Sequence, residues 1–182
     1  MTMIYRKILS VTFVCLLLSG CANLSKEECL NADWYEIGYN DGVEGKKRSR
    51  LNNHIKACAE YHVSAQTQPY FKGREKGLKS YCTVENALQI GLRGYSYNHV
   101  CPSHIESAFL KKYRQGKTIY NLEQEINNHE SEISTLEHKL KKKKDKLSKK
   151  EKREIKREIE HLEIRIEEKT KQLYYLKGQA GV

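Results

Sequence analysis

Residues 35–42 read YEIGYNDG, and residues 70–77 read YFKGREKG. Each stretch places an aromatic residue three positions before a glycine, and a second glycine four positions after the first. Residues four apart lie on one face of a helix, so the two glycines of each stretch would form a flat strip. An interior glycine costs a helix about 1 kcal/mol relative to alanine, so a compensating contact is expected. We predict that the strips let two helices pack closely; a ligand cradle and a pair of helix ends are the alternatives.

The same element recurs in a looser form. LQIG at 88–91 is followed by Gly94, and YRQG occupies 113–116. None of these stretches has the GxGxxG or GK[S/T] pattern and the strand-turn-helix setting that phosphate-binding loops need. The repetition therefore favours an architectural role for the glycines over a ligand cradle.

A short basic segment and then an apolar one open the chain. Arg6 and Lys7 precede the apolar run 8–18. This run is shorter than the roughly 20 residues of a membrane-spanning helix. Such a beginning is typical of a secretory signal peptide, which we predict for residues 1–20.

The segment ends in LSGC, residues 18–21, which resembles the bacterial lipobox. We therefore predict that Cys21 is lipidated, with palmitate among its acyl chains, and that residues 21–28 form a tether. Each buried CH₂ contributes about 0.8 kcal/mol, so several acyl chains would hold the protein firmly on a membrane. Ala22, by similarity to Gram-negative lipoproteins, favours the outer membrane, facing the periplasm. An ordinary signal peptide with a chance cysteine is the alternative.

Four further cysteines follow in the exported part of the chain: Cys29, Cys58, Cys82 and Cys101. An even number of cysteines in an oxidising compartment indicates disulfides. A metal site is the alternative, because His54 and His99 stand close to two of the cysteines, but no CxxC or HxxxH pair supports it. The pairing that closes the shortest loops compatible with two bridges is Cys29–Cys58 with Cys82–Cys101, and we prefer it.

Charge and periodicity divide the chain after the signal peptide into two parts. Residues 21–110 carry 11 basic and 10 acidic side chains, net +1, whereas residues 111–182 carry 20 and 13, net +7. We predict a disulfide-stapled helical domain over 29–103. Its helix starts are indicated by capping-box patterns at Ser25/Glu28 and Ser103/Glu106 and by possible caps at Thr67 and Thr83. The stretch around Leu88, Ile90 and Leu92 is also predicted as a helix, although these residues alternate like a strand and Gly91 and Gly94 interrupt the run.

The second part shows a heptad rhythm that changes register near residue 147. Apolar residues follow an a/d spacing up to Leu147 and resume it, out of register, from Ile155. Ser148 and Glu151 form another capping box between the two runs. We predict two helices, about 104–145 and 149–177, folded as an antiparallel coiled-coil hairpin (104–177), with a disordered tail over 178–182. A single long helix that dimerises through a stutter is the alternative.

The predicted turn of the hairpin is strongly basic. Residues 139–157 contain twelve basic and three acidic side chains, net +9. Each basic residue near an anionic membrane surface contributes about 1 kcal/mol of attraction. We predict an anion-binding tip that contacts anionic lipid or a cell-wall polymer, formed by Lys141, Lys142, Lys143, Lys144, Lys146, Lys149 and Lys150.

Four stretches of the first part carry a resemblance: DWYEIGYNDGVEG (33–45), HIKAC (54–58), YFKGREKGLKSYCTVENA (70–87) and IGLRGYSYNHVCP (90–102). They are similar to a family of bacterial lipoproteins catalogued as domain of unknown function 2799. The resemblance implies an envelope lipoprotein, often ending in a coiled coil, with no established activity and no catalytic residues to transfer.

The residues themselves do not indicate catalysis. Asp33, Asp41 and Glu44 flank the first glycine element, and we interpret them as solvated helix-surface residues. No Ser-His-Asp pattern with a nucleophile elbow and no HExxH motif occurs in the sequence. We therefore expect an all-α structural or adaptor lipoprotein with no cofactor, whose coiled coil contacts an envelope protein. The alternative is a binding module that uses the basic tip; nucleic acid is not an expected partner of an exported chain.

Overall fold

A computed structural model describes residues 24–143 and 145–182 of the chain. Every regular element in these two ranges is a helix, which confirms the all-α fold class. None of the helices described is both long enough and apolar enough to cross a membrane. The helices are α1 Lys26–Leu30, α2 Trp34–Val43, α3 Arg50–Ala59, α4 Thr67–Tyr81, α5 Val84–Leu92, α6 Ser103–Lys142 and α7 Lys149–Ala180.

Side-chain caps fix several helix starts where the sequence placed them. Ser25 and Ser148 form complete capping boxes, and the Thr83 side chain accepts a hydrogen bond from the Asn86 backbone at 3.1 Å. The two other predicted caps are wrong: Thr67 and Ser103 are the first helical residues, and the residues before them provide no side-chain cap. At α6 the reason is the preceding proline, whose fixed φ of about −65° suits a helix start without a side-chain bond.

The core of the first part consists of two apolar clusters. One surrounds Trp34 and Tyr70, and its other fully buried members include the disulfide-bonded Cys29 and Cys58. The second surrounds Phe109, which stacks on Tyr81 with ring centroids 5.6 Å apart. Each cluster lies beside one pair of closely packed helices, α2 with α4 and α5 with α6.

The boundary predicted at residue 103 does not divide the molecule. Phe109 belongs to the second cluster, Gly116 meets the backbone of α5, and the Tyr120 ring covers Gly94 just after α5. The helical domain therefore includes about the first 20 residues of α6. The sequence did not indicate where the domain ends, because α6 continues from the domain into the hairpin as one helix of 40 residues, about 60 Å long.

Helices α6 and α7 form the antiparallel hairpin that the change of register indicated. Lys177, near the end of α7, pairs with Glu123 of α6 at 2.7 Å, and Lys169 pairs with Glu125. The helix bounds differ from the prediction at both ends: α6 stops at Lys142, and α7 continues to Ala180. The disordered tail expected over 178–182 is thus wrong for its first three residues, because the helix continues until Gly181 ends it in a left-handed conformation, φ 76°.

Candidate functional site

The first glycine element packs directly against its copy. A Cβ atom added to Gly38 would lie 2.0 Å from the carbonyl oxygen of Tyr70, and one added to Gly73 would lie 1.9 Å from that of Tyr35. Gly42 and Gly77 are equally close to the opposite backbone. Distances this short leave no room for any side chain. The glycines therefore bring the backbones of α2 and α4 into contact, which confirms the packing prediction.

Helices α5 and α6 repeat this arrangement. A Cβ on Gly91 would lie 2.3 Å from the Tyr113 carbonyl oxygen, and one on Gly116 would lie 2.4 Å from that of Leu88. The looser sequence copies, LQIG and YRQG, are thus structural copies too. The second pair uses one glycine on each helix where the first uses two, so the domain contains two glycine-packed helix pairs.

Two further glycines end the first helix of each pair. Gly45 has φ +63° and Gly94 has φ +74°, conformations that L-residues with side chains rarely adopt. Each glycine is covered by a tyrosine ring from the second helix, Tyr81 in one pair and Tyr120 in the other. Gly45 and Gly94 therefore mark helix ends, which is the role that we gave as an alternative for the glycines of the strips.

A polar cluster lies buried beside the first glycine contact. His54 Nε2 donates a hydrogen bond to Asp41 Oδ2 at 2.9 Å, and the Tyr70 hydroxyl donates to the same oxygen at 2.6 Å. Asp41 is only 7% exposed and Tyr70 is fully buried. The three residues come from α3, α2 and α4, so this cluster joins three helices. We call it the Asp41 network.

The Asp41 network remains ionised at its centre. Burial raises the pKa of the Asp41 carboxyl. The hydrogen bonds from His54 and Tyr70 and the positive charge of Arg50 lower this pKa by a larger amount, so it lies below its ordinary value. Burial, together with the bond to Asp41, raises the pKa of the Tyr70 hydroxyl, which stays protonated as a donor. A substrate cannot reach groups this deeply enclosed, so the network holds helices together.

This finding corrects part of the prediction that Asp33, Asp41 and Glu44 are solvated residues on helix surfaces. Glu44 is exposed and pairs with Lys46 at 3.1 Å, and Asp33 caps α2 by accepting from two backbone amides. Asp41 was expected on the surface but is buried. A signal was present in the sequence: Asp41 adjoins Gly42 on the packed strip, and His54 shares a helix face with the apolar Leu51.

The cysteines that the sequence singled out form two disulfides. Cys29 is bonded to Cys58, and Cys82 to Cys101, which is the pairing that the shortest-loop argument preferred. His54 and His99, the candidate metal ligands, instead bond to the carboxylates of Asp41 and Glu106. Within residues 24–143 and 145–182 no cluster of three side chains suited to a metal ion occurs.

Two of the concave surfaces of the helical domain differ in the chemical character of their lining. A cleft of about 480 Å³ separates the two helix pairs; its lining includes Lys46 and Arg93, and Asn98 donates to the Gly45 carbonyl at 3.0 Å nearby. An apolar pocket of about 330 Å³ lies beside the second disulfide, between Leu78 and Ile105. The lining of the cleft suits a polar molecule and that of the pocket an apolar one, and the sequence indicated neither.

The predicted anion-binding lysines lie together at the turn of the hairpin. All of those described are exposed, and the structure places them at the end of α6, in the turn and at the start of α7: Lys141, Lys142, Lys143, Lys146, Lys149 and Lys150. One of them, Lys150, pairs with Glu154 at 3.9 Å. Lys144 lies outside the described residues, as do Cys21 and the predicted signal peptide, so the lipidation site stays a sequence prediction.

Comparison with known proteins gives one match. No curated protein and no solved structure matches the chain. The model of one family, described as "Protein of unknown function (DUF2799)", matches residues 33–118. This range ends within α6, one residue before the buried Ile119. The match confirms the resemblance to DUF2799 that the four stretches indicated, and it covers both glycine-packed helix pairs.

Proposed function

We propose that this protein is a membrane-anchored envelope lipoprotein of structural or adaptor type, which holds a rigid helical arm away from a stapled domain. The observation that carries the proposal is the continuity of α6. Its first half is fixed in the domain by Phe109 and Gly116, and its second half forms the hairpin without a break. From Leu122 to Lys142 the arm extends about 30 Å at 1.5 Å per residue.

Rigidity at the base supports this role. The two disulfides and the Asp41 network cross-link the elements from α1 to α6. At the far end of α7, Gln179 lines the same surface groove as Val84 and Ala108, so the second helix of the hairpin ends near the domain. An arm whose first helix is fixed in the domain keeps its direction, as an adaptor that spaces two envelope components requires.

In-cell photo-crosslinking tests the adaptor role. A photoreactive residue at Ser134, exposed on the arm, should capture a defined envelope protein, whereas the same residue at Lys72, exposed on the domain, should not. Identical capture from both positions, or no capture from Ser134, would count against an arm-bound partner.

A second function is favoured by the exposed lysines of the tip: binding of anionic lipid headgroups or wall polymers. Attraction of this kind weakens as salt shortens the Debye length from about 10 Å at 0.1 M to about 3 Å at 1 M. A chain beginning at Leu24, which keeps every helix described for residues 24–143 and 145–182 and both disulfides, should bind anionic vesicles at low salt and leave them at high salt. Binding that does not respond to salt would contradict this function.

A further inference from the structure

One face of α7 points away from α6 and carries basic residues in its first part and acidic residues in its second. Ile155 and Leu162 are buried against α6. The residues on the opposite side of the helix are three or four positions apart, and all are exposed: Arg153, Arg157, Glu160, Ile164 and Glu168. We call this the outward face of α7.

The outward face runs through two blocks of equal and opposite charge. Residues 149–157 carry six basic and two acidic side chains, net +4, and residues 158–168 carry one basic and five acidic, net −4. The blocks follow one another along a single helix, so within one chain they cannot lie side by side. Like charges within each block repel at i,i+4 spacing. The arrangement becomes favourable when each block meets the opposite one.

We propose that the outward face of α7 binds the same face of a second copy of this chain, with the two helices antiparallel. An antiparallel pair centred between residues 158 and 159 places each basic block against the other copy's acidic block. Arg157 then faces Glu160 of the second copy, and Lys149 faces Glu168 of the second copy. In this register the residue numbers of any two facing positions add up to about 317. The contact is isologous, so each pair occurs twice.

The residues that this pairing uses are available for it. Among the described residues, Arg153, Arg157, Glu160 and Glu168 form no ion pair within their own chain. Ile164, in the middle of the acidic block, is 52% exposed. In the antiparallel pair it faces Arg153 of the second copy, whose aliphatic stem can cover it while the guanidinium stays solvated.

A second copy explains more of this face than an anionic surface does. Lipid headgroups or a wall polymer would attract the basic block alone and would be repelled by the acidic block next to it. Only a partner with the same two blocks in reverse order satisfies both. The inference uses the tip residues of the second candidate function but does not depend on the membrane anchor.

Sedimentation velocity of the full chain in non-ionic detergent tests this pairing. The parent should form a reversible dimer at about 0.05 M salt, and the association constant should fall about ten-fold or more at 1 M salt as the charges are screened. A parent that stays monomeric at low salt would overturn the proposal.

Charge reversal supplies the specific test. Arg153→Glu/Arg157→Glu makes the outward face acidic throughout, and Glu160→Arg/Glu168→Arg makes it basic throughout. Each variant alone should be monomeric at low salt, and an equimolar mixture should form the heterodimer. Lys111→Glu/Arg114→Glu, which makes the same charge change at exposed positions outside the face, should dimerise like the parent. Circular dichroism checks that every variant keeps its helix content.

The same variants separate self-association from anion binding. If the basic block binds vesicles only, Arg153→Glu/Arg157→Glu loses vesicle binding while Glu160→Arg/Glu168→Arg does not lose it, and the parent is monomeric; that pattern overturns the pairing. Parent-like dimerisation of either reversed variant alone also overturns it, because two like blocks would then face each other.

Discussion

The carboxylate of Asp41 accepts two hydrogen bonds at one oxygen, in a place where neither donor has water as an alternative. Asp41→Asn keeps the size of the side chain but removes the charge that both donors stabilise. Leaving buried polar groups poorly paired costs about 1–3 kcal/mol, so we expect the free energy of unfolding to fall by that amount. Glu44→Gln, at an exposed ion pair, should change it by less than about 0.5 kcal/mol. Equal effects of the two changes in denaturant unfolding would contradict a stabilising network.

The pH dependence of stability provides an independent test of the same residue. The folded-state pKa of Asp41 lies below its ordinary value, so its contribution is fully present above about pH 4, the unfolded pKa. The contribution is lost as the pH falls through the folded pKa. The stability difference between the parent and Asp41→Asn should therefore shrink as the pH falls below about pH 4. A difference that grows on acidification would show that Asp41 is not the ionised acceptor.

At the scale of the helix, the glycine contacts allow a matched pair of substitutions. Gly73→Ala adds a methyl group where 1.9 Å separates its position from the Tyr35 carbonyl oxygen, so α2 and α4 must move apart. Overpacking of this kind costs about 1–3 kcal/mol. Gly178→Ala adds the same group on α7, where nothing lies within 4 Å, and should stabilise by up to about 1 kcal/mol through helix propensity. Thermal melting should therefore shift in opposite directions; two shifts of the same sign would contradict the packing role.

The helices also show which features of the structure can be predicted from the sequence and which cannot. The glycine spacing and the heptad register each follow from a repeat along one helix, so the close helix contact and the hairpin could be read directly from YEIGYNDG and from the register change. The Asp41 network could not, because its three members come from three helices and nothing local marks Tyr70 as their hydroxyl donor. The end of the domain within α6 was missed for a related reason: Phe109 and Tyr120 pack on residues outside α6, and no spacing along α6 marks these contacts.

At the scale of the whole molecule, the two proposed attachments respond differently to salt. Acyl chains on Cys21 would hold the protein by apolar burial, which added salt does not weaken. The basic tip, at the end of an arm about 30 Å long, would hold it by charge, which salt screens. Membrane fractionation of variants at Cys21 and at the tip lysines therefore distinguishes the two attachments.

We expect three different outcomes from these four chains. The parent chain, and a variant with Lys141, Lys142, Lys143 and Lys144 changed to Gln, should stay with membranes at both about 0.1 M and 1 M salt, because the lipid remains. Cys21→Ser should stay with membranes at low salt only, held by the tip. The combined variant should leave the membranes at both salt concentrations. Retention of Cys21→Ser at 1 M salt would exclude the lipid as the main anchor, and its loss already at low salt would exclude the tip as a membrane contact.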